Sequence, residues 1–198
     1  MFTYEVAAPR AALTLNDPDR RNPISVEVMR SLLEGLQAAT TDPAVKVIVV
    51  TGAGDRAFSA GGDLSGGFVD EPMALHHARG ILAEIFRTMR RGGKPTIARV
   101  NGHALAGGFG LAAACDIVIA VEQAKFGTPE INVGLWPMMI SAILQRVIPR
   151  KAALELMMTG RLITADEALR LGVVSRVVPS ESLDDVVDET VDNLAGKS

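Results

Sequence analysis

The chain has 198 residues, a formal net charge of −3 and 48% hydrophobic residues, a composition typical of one globular domain with a buried core. The nearly balanced charge argues against nucleic acid as a partner, which would call for a basic excess. No basic segment precedes an apolar run at the N-terminus, so we expect no secretory signal. The longest apolar run, Ala104 to Cys115, is too short to cross a bilayer, and we expect no membrane partner.

Cysteine and histidine usage indicates a reducing, cytoplasmic location and no metal site. The only cysteine, Cys115, cannot form an internal disulfide and ends an apolar run. We therefore interpret it as a small core residue rather than a reactive thiol. The 3 histidines show no metal-ligand spacing.

The first part of the chain predicts two short strands, a helix and a buried strand. The strands are expected over 3–7 and 11–15. A helix follows Pro23, with Ser25 as its N-cap and apolar residues at helical spacing behind it. The β-branched run at 46–51 is typical of a strand that is covered on both faces.

The middle of the chain repeats this order. A helix is expected up to about Arg91, where two glycines end it. A strand is expected over 96–100, a short buried helix over 107–114 and a strand over 117–121. Alternating strands and helices predict an α/β domain whose sheet is largely parallel, with ligands at the carboxyl ends of the strands.

The last part of the chain predicts helices around one more strand. Pro149 favours the start of a helix, and Thr164 and Glu167 have the spacing of a capping box for the next one. A strand is expected over 173–178, and an amphipathic helix follows from Leu183 almost to the end.

Two glycine-rich turns at the ends of predicted strands are the strongest functional signal. They are Phe-Ser-Ala-Gly-Gly-Asp at 58–63 and Asn-Gly-His-Ala-Leu-Ala-Gly-Gly-Phe at 101–109, and Gly-Thr-Pro-Glu follows at 127–130. Glycine lets backbone N–H groups approach a ligand closely, and Gly107 would begin a helix whose first N–H groups favour an anion. Two such donors beside a carboxylate can stabilise an enolate. Taken singly, these glycines also suit plain tight turns.

The combination resembles the enoyl-CoA hydratase/isomerase family, also called the crotonase superfamily, over essentially the whole chain. The segments that carry the resemblance are Arg20–Ile24, Val49–Gly52, Ala57–Leu64, Val100–Ala104, Cys115–Ile117, Phe126–Glu130, Gly160–Arg161 and Leu171–Val174. It implies a ClpP/crotonase-like spiral of ββα units in a single domain, 1–198, with a core of about 1–178. The helical piece at 179–198 would be a shortened form of the family's usual C-terminal segment. The resemblance also implies a homo-oligomer, a trimer or paired trimers, which the short C-terminus puts in doubt.

The resemblance implies roles for particular residues. Gly62 and Gly107 would donate their backbone N–H groups to an oxyanion, and Glu130 would be the catalytic acid and base. The substrate would be an acyl-CoA thioester, so that no separate cofactor is needed. The positions that would contact substrate or CoA are Arg21, Pro23, Ala60, Asp63, Leu64, Leu105, Gly110, Pro129, Gly134 and Trp136. Trp136 would wall the acyl pocket, although a lone tryptophan is as often plain core.

One departure from the family pattern favours an isomerase over a hydratase. Family hydratases use two glutamates to add water, and the position of the first is Gly110 here. Glu130 alone can still remove and return a proton in a 1,3 shift of a double bond. Burial would raise its pKa and suit it to that task. The segment around Glu71, His76 and His77 could supply a missing group.

Other classes of protein remain open at this point. Gly52 to Ala57 matches a loose dinucleotide-binding fingerprint, but no acid ends a second strand at the expected distance. A nucleophilic Ser59 is conceivable, although no Gly-x-Ser-x-Gly elbow surrounds it. A third alternative is a non-catalytic acyl-CoA-binding or scaffold protein of the same fold. A fourth is an enzyme that catalyses another reaction of the crotonase type.

Overall fold

The computed structural model describes residues 1–63 and 72–197. Its strands are β1 Phe2–Ala7, β2 Arg10–Leu15, β3 Val47–Gly52, β4 Ala57–Ser59, β5 Thr96–Val100, β6 His103–Leu105, β7 Ile117–Val121, β8 Lys125–Gly127, β9 Leu162–Thr164 and β10 Arg176–Val178. Its α-helices are α1 Val26–Thr41, α2 Pro72–Arg91, α3 Gly107–Ala114, α4 Met138–Val147, α5 Arg150–Thr159, α6 Ala165–Arg170 and α7 Leu183–Ala195. Strands and helices alternate, which confirms the predicted α/β class.

The strands form two sheets. The larger sheet has the order β1-β2-β3-β5-β7-β10 and the smaller one the order β4-β6-β8-β9. Pairing is parallel except between β1 and β2 and between β8 and β9. The predicted, largely parallel sheet is therefore confirmed.

The smaller sheet is the feature that the sequence did not reveal. Each of its first three strands follows a strand of the larger sheet after a short turn, as β4 follows β3, β6 follows β5 and β8 follows β7. A helix then follows β4 and β6, which gives the repeated ββα order that the resemblance implies. These strands have 3 residues each, too few to show an alternation of apolar and polar positions. The two glycine-rich turns lie at the ends of β4 and β6.

Most helix boundaries follow the predicted signals. The Ser25 hydroxyl accepts the N–H of Val28 at the start of α1, and the Thr164 hydroxyl accepts the N–H of Glu167 at the start of α6. The Glu167 carboxylate binds Arg161 at 2.7 Å instead of turning back to complete the capping box. The helix α4 was not predicted.

The strand predicted over 173–178 is shorter than expected. Val173 and Val174 are buried, but their N–H groups both donate to the carbonyl of Ala168, at 3.0 and 3.2 Å. They therefore close the end of α6, and only 176–178 pairs with β7. Buried valines alone do not distinguish these two conformations, because both hide the side chain.

The core lies between the sheets and the helices. The first four residues of β3 are all buried, as expected for a strand covered on both faces. Phe109 of α3 and Phe126 of β8 are completely buried, with ring centroids 5.7 Å apart. Cys115 is also buried, and burial raises the pKa of its thiol, in agreement with a core role. Across the part of the chain that is described, no helix has both the length and the apolar character needed to span a membrane.

Candidate active site

The two glycine-rich turns touch each other through their backbones. A Cβ atom placed on Gly61 would lie 2.6 Å from the Cβ of Ala106 and 3.2 Å from the backbone nitrogen of Gly107. Gly61 also has a φ of +100°, which side chains disfavour. Ala106 itself has a φ of 50°, a strained backbone of the kind that is concentrated at functional sites. Glycine at position 61 is therefore a requirement of this contact.

The backbone of Ile24 fixes the direction of the Gly62 N–H group. Ile24 donates its N–H to the carbonyl of Gly61 at 2.8 Å, and its carbonyl accepts the N–H of Asp63 at 3.3 Å. The Gly61 carbonyl and the Gly62 N–H belong to one peptide plane and point in opposite directions. The Gly62 N–H therefore points away from Ile24. A Cβ atom on Gly107 would lie 3.8 Å from the Gly62 nitrogen, so the two glycines are neighbours.

Gly107 presents its N–H at the start of α3. Ala106 donates its own N–H to the carbonyl of Gly127 at 2.9 Å, and its carbonyl accepts the N–H of Gly110 at 3.1 Å. These two bonds hold the peptide before Gly107 at the beginning of the helix, where N–H groups lack partners within the helix. Among the described residues, no acceptor is found for the N–H of Gly62 or of Gly107.

Buried asparagines hold the loops behind these turns. The Asn22 amide donates to the carbonyls of Ala53 and Ala57 at 2.9 and 2.8 Å. The Asn101 amide donates to the carbonyl of Gly54 at 2.7 Å. Both side chains are almost completely buried, where breaking such bonds would cost about 1–3 kcal/mol for each group left without a partner. The segments Arg20–Ile24 and Val100–Ala104, singled out in the sequence, thus contribute to the geometry of the turns.

Ser59 also serves the first turn. Its side chain is completely buried, and its hydroxyl accepts the N–H of Gly61 at 3.1 Å. It does not line the cavity described below. The hypothesis of a nucleophilic Ser59 therefore has no support in this geometry.

A cavity of about 400 Å³ opens beside the two glycines. Among the described residues its lining is mostly apolar, with polar side chains at three positions. The lining residues are Met29, Ala60, Gly62, Arg79, Leu82, Ala106, Gly107, Pro129, Glu130, Asn132, Val133, Leu135, Trp136, Pro137, Met138, Met139 and Ile140. Apolar walls with a few polar groups are typical of a site for a small molecule.

Glu130 is the only carboxylate on this lining among the described residues. It lies in a 3₁₀ helix, Pro129–Val133, that Gly134 ends with a φ of 74°. Its Oε2 atom is buried and has no hydrogen-bond partner among the described residues. Burial raises the pKa of this carboxyl group above its usual value, as the sequence analysis expected. A buried, unpaired carboxylate oxygen in a cavity is the kind of group that exchanges protons with a ligand.

Gly110 is buried behind the cavity wall rather than on it. A Cβ atom at this position would lie 2.6 Å from the Cβ of Ile140 and still closer to its Cγ2. Ile140 belongs to α4 and is 3% exposed, so it cannot easily move aside. The space that a side chain at position 110 would need is therefore filled by Ile140.

The other predicted site residues are divided between the cavity and its surroundings. Those that line it are Ala60, Pro129 and Trp136; Arg21, Pro23, Asp63, Leu105 and Gly134 do not. Trp136 is 43% exposed, so it forms part of the cavity wall and is not plain core. Leu64 and Glu71 lie outside the described residues.

The charged residues before the first helix lie near one another. Asp63 accepts a hydrogen bond from Arg20 at 2.8 Å. Arg21 is exposed, and its carbonyl accepts the N–H of Ala60 at 2.9 Å. The backbone of Arg21 thus supports the first turn.

The histidines do not line the cavity. His76 and His77 are exposed on α2. His103 accepts the N–H of Lys125 through Nδ1 at 3.2 Å, and burial, with the charges of Lys125 and Arg21, lowers the pKa of His103. This arrangement supports a neutral histidine with a role in the turn.

The sequence analysis missed the contributions of α2 and α4 to the cavity. The cavity residues that it did not name include Met29, Arg79, Leu82, Met138, Met139 and Ile140. Most of them are apolar, and apolar residues at helical spacing cannot be told from ordinary core residues. Arg79 is the exception, because it is a cation on the cavity lining.

Comparison with known proteins agrees with this geometry. The chain matches the family described as Enoyl-CoA hydratase/isomerase over residues 7–198. A Thermus thermophilus protein whose name classes it with the enoyl-CoA hydratases is 43% identical over 175 residues, which are 85% of this chain and 68% of the relative. The crotonyl-CoA hydratase of Syntrophomonas wolfei is 38% identical over 176 residues, 87% of this chain and 67% of the relative.

A solved structure agrees in fold. The enoyl-CoA hydratase of Mycobacterium smegmatis superimposes with a TM-score of 0.94 at 32% identity, covering 98% of this chain and 76% of that one. The family match spans nearly all of the chain, and the fold is that of the crotonases. The chain belongs to the enoyl-CoA hydratase/isomerase family.

Proposed function

We propose that this protein binds an acyl-CoA thioester, stabilises its enolate and moves a proton with Glu130 alone, as an enoyl-CoA isomerase. The observation that carries the proposal is the pairing of two features. Glu130 is the one carboxylate on the described lining of a cavity that Gly62 and Gly107 also line. The position where family hydratases carry another glutamate is Gly110, and Ile140 fills the space beside it.

The two glycine N–H groups supply the electrostatic part of the mechanism. The thioester carbonyl oxygen accepts hydrogen bonds from Gly62 and Gly107 and gains negative charge when the α carbon loses a proton. Donors that are fixed in an apolar cavity stabilise this charge without reorganising, and one of them is worth about 3–4 kcal/mol in other oxyanion holes. The start of α3 adds the favourable end of a helix dipole.

Glu130 supplies the proton transfer. Its ionised carboxylate removes a proton from the α carbon of a 3-enoyl thioester, and the C–H electron pair enters a dienolate. The same carboxyl group then returns the proton to the γ carbon, which leaves a 2-enoyl thioester. No atom is gained or lost, so one base is enough. The raised pKa of Glu130 brings it closer to neutral pH, where a group can both accept and donate a proton.

Addition of water asks for a second acid or base, and the described lining of the cavity holds no carboxylate besides Glu130. Water must be held and split beside the double bond, and a second acid or base helps to do so. Ile140 is apolar and packs where that group would stand. The relatives named above as hydratases make hydration the competing activity, and the experiment below separates the two. A homo-oligomeric state and a cytoplasmic location stay predictions.

The turnover of two substrates by the purified protein tests the proposal. We expect isomerisation of a 3-enoyl-CoA with little hydration of a 2-enoyl-CoA. Glu130→Gln should lower isomerisation by at least about 10²-fold, the low end of general acid–base catalysis, while binding of the CoA thioester persists. Product analysis and isothermal titration calorimetry on the same preparations measure both quantities.

Glu122→Gln is the matched control for this experiment, because Glu122 is exposed and lies outside the cavity. It should leave turnover and binding unchanged. Binding without turnover of either substrate would contradict the proposed activity and favour a non-catalytic acyl-CoA-binding protein. Efficient hydration by the unmodified protein would contradict the isomerase assignment.

Making room for a carboxylate at position 110 should change the reaction. Gly110→Glu alone collides with Ile140 and should destabilise the fold by at least about 1–3 kcal/mol, as overpacking does. Gly110→Glu combined with Ile140→Gly removes the collision and should gain hydration of a 2-enoyl-CoA relative to Ile140→Gly alone. Circular dichroism and urea unfolding confirm that each variant is folded. No gain of hydration in the folded double variant would contradict the idea that the missing carboxylate limits this reaction.

The burial of Glu130 predicts a pH-dependent stability. Its pKa is raised in the folded state, so the folded protein holds this proton more tightly than the unfolded chain does. The stability that the protonated form contributes is complete below the unfolded pKa and is lost as pH rises through the folded pKa. The glutamine in Glu130→Gln stays neutral, so this variant does not lose that stability as pH rises. Its free energy of unfolding, relative to the unmodified protein, should therefore rise as pH increases through the folded pKa.

Urea unfolding of both proteins over a series of pH values measures this difference. The exposed Glu122→Gln substitution should show no such trend. A Glu130→Gln variant that becomes relatively less stable as pH rises would show that the ionised carboxylate is stabilised in the fold, contrary to the burial of its unpaired oxygen.

A further inference from the structure

Arg79 lies beside the apolar face of α2 and lines the cavity. Leu82, Phe86 and Met89 follow it at intervals of three and four residues, and these positions lie on one face of a helix. Leu82 is half-buried, while Phe86 and Met89 are 8% and 5% exposed. The apolar positions of the α2 sequence continue back to Ala78, one turn before Leu82, and Arg79 follows Ala78 as an exposed cation on the cavity lining.

Arg79 lines the same cavity as Glu130. It is the one basic residue on the described part of that lining. Its side chain is exposed, and it makes no hydrogen bond or ion pair with the described residues. In particular, no ion pair joins it to Glu130. An exposed guanidinium group on the lining of an apolar cavity is available to an anion that enters with the ligand.

We propose that Arg79 binds a second carboxylate, carried at the far end of the substrate's acyl group. The preferred substrates would then be CoA thioesters of dicarboxylic acids; this inference rests on the proposed acyl-CoA function. A plain hydrocarbon chain offers a guanidinium group no partner. A carboxylate accepts two parallel hydrogen bonds from it, which gives both affinity and orientation.

The position of Arg79 favours the acyl group over the CoA phosphates as the source of the anion. Arg79 shares the cavity with Trp136, Met138 and Met139, which form an apolar wall suited to an acyl chain. Asp63, which the sequence analysis expected to contact substrate or CoA, is paired with Arg20 outside this cavity. The positive charge of Arg79 also offsets the repulsion between an ionised Glu130 and a second carboxylate.

Saturated thioesters test this inference without turnover. Glutaryl-CoA and pentanoyl-CoA have acyl chains of the same length and differ in the terminal carboxylate, and CoA alone reports contacts to the phosphates. Isothermal titration calorimetry measures all three with the unmodified protein, Arg79→Met, Arg79→Lys and the control Arg90→Met. Arg90 is exposed on the same helix and lies outside the cavity.

The unmodified protein and Arg90→Met should bind glutaryl-CoA at least about tenfold more tightly than pentanoyl-CoA, as one charge-assisted hydrogen bond would give. Arg79→Met should reduce this ratio to about one. Arg79→Lys should retain part of it, because it keeps the charge and loses the paired geometry.

Other outcomes overturn the inference. Equal binding of the two thioesters by the unmodified protein would show that no carboxylate is recognised, and it would leave the proposed function intact. Equal weakening of CoA and of both thioesters in Arg79→Met would assign Arg79 to a CoA phosphate. Failure of the folded, unmodified protein to bind any thioester would overturn the proposed function itself.

Discussion

The candidate site depends on one close contact between two stretches of backbone. Gly61 lies against Ala106 so tightly that a single added carbon atom would fall 2.6 Å from the Ala106 Cβ. This contact makes neighbours of the Gly62 and Gly107 backbones, and Ile24 and Gly127 bind the peptides on either side. Both turns follow short parallel strands of the smaller sheet, so the sheet sets the distance between the turns. The glycines allow the two backbones to come into contact. The proposed oxyanion site is thus made by main-chain geometry.

The same closeness limits which side chains can surround the site. At position 110 there is no room for a side chain, because Ile140 from α4 occupies that space. At position 130, by contrast, the fold accommodates an acidic side chain. The 3₁₀ helix that contains Glu130 places one carboxylate oxygen in a buried position, without a partner among the described residues. The family fold can therefore keep its backbone donors while the set of acids and bases around them changes. Among the described residues of this chain one carboxylate lines the cavity, and we propose that it moves a proton within the substrate.

The elements that could be predicted from the sequence are those with long or distinctive residue patterns. The helix α1 is long enough for its apolar periodicity to be clear, and the strand β3 contains a continuous β-branched run. The glycine turns and Glu130 carry a motif. The smaller sheet could not be predicted, since its strands have 3 residues each and their pairing depends on the tertiary fold. The absence of a carboxylate at position 110 was visible in the sequence. That Ile140, 30 residues later, fills the space beside Gly110 was not. The place of Arg79 on the cavity lining was not visible, because the apolar pattern of α2 is complete without it, at positions 78, 81, 82, 85, 86 and 89.

We propose that the glycine N–H groups and Glu130 together form an enolate at the α carbon of a CoA thioester. Exchange of the α protons of butyryl-CoA in D₂O, followed by NMR, tests this claim most directly, because it needs neither a double bond nor water addition. The account predicts exchange with the unmodified protein and its loss in Glu130→Gln, with butyryl-CoA bound in both cases. Exchange that persists in Glu130→Gln, or is absent from the unmodified protein while butyryl-CoA is bound, would contradict it.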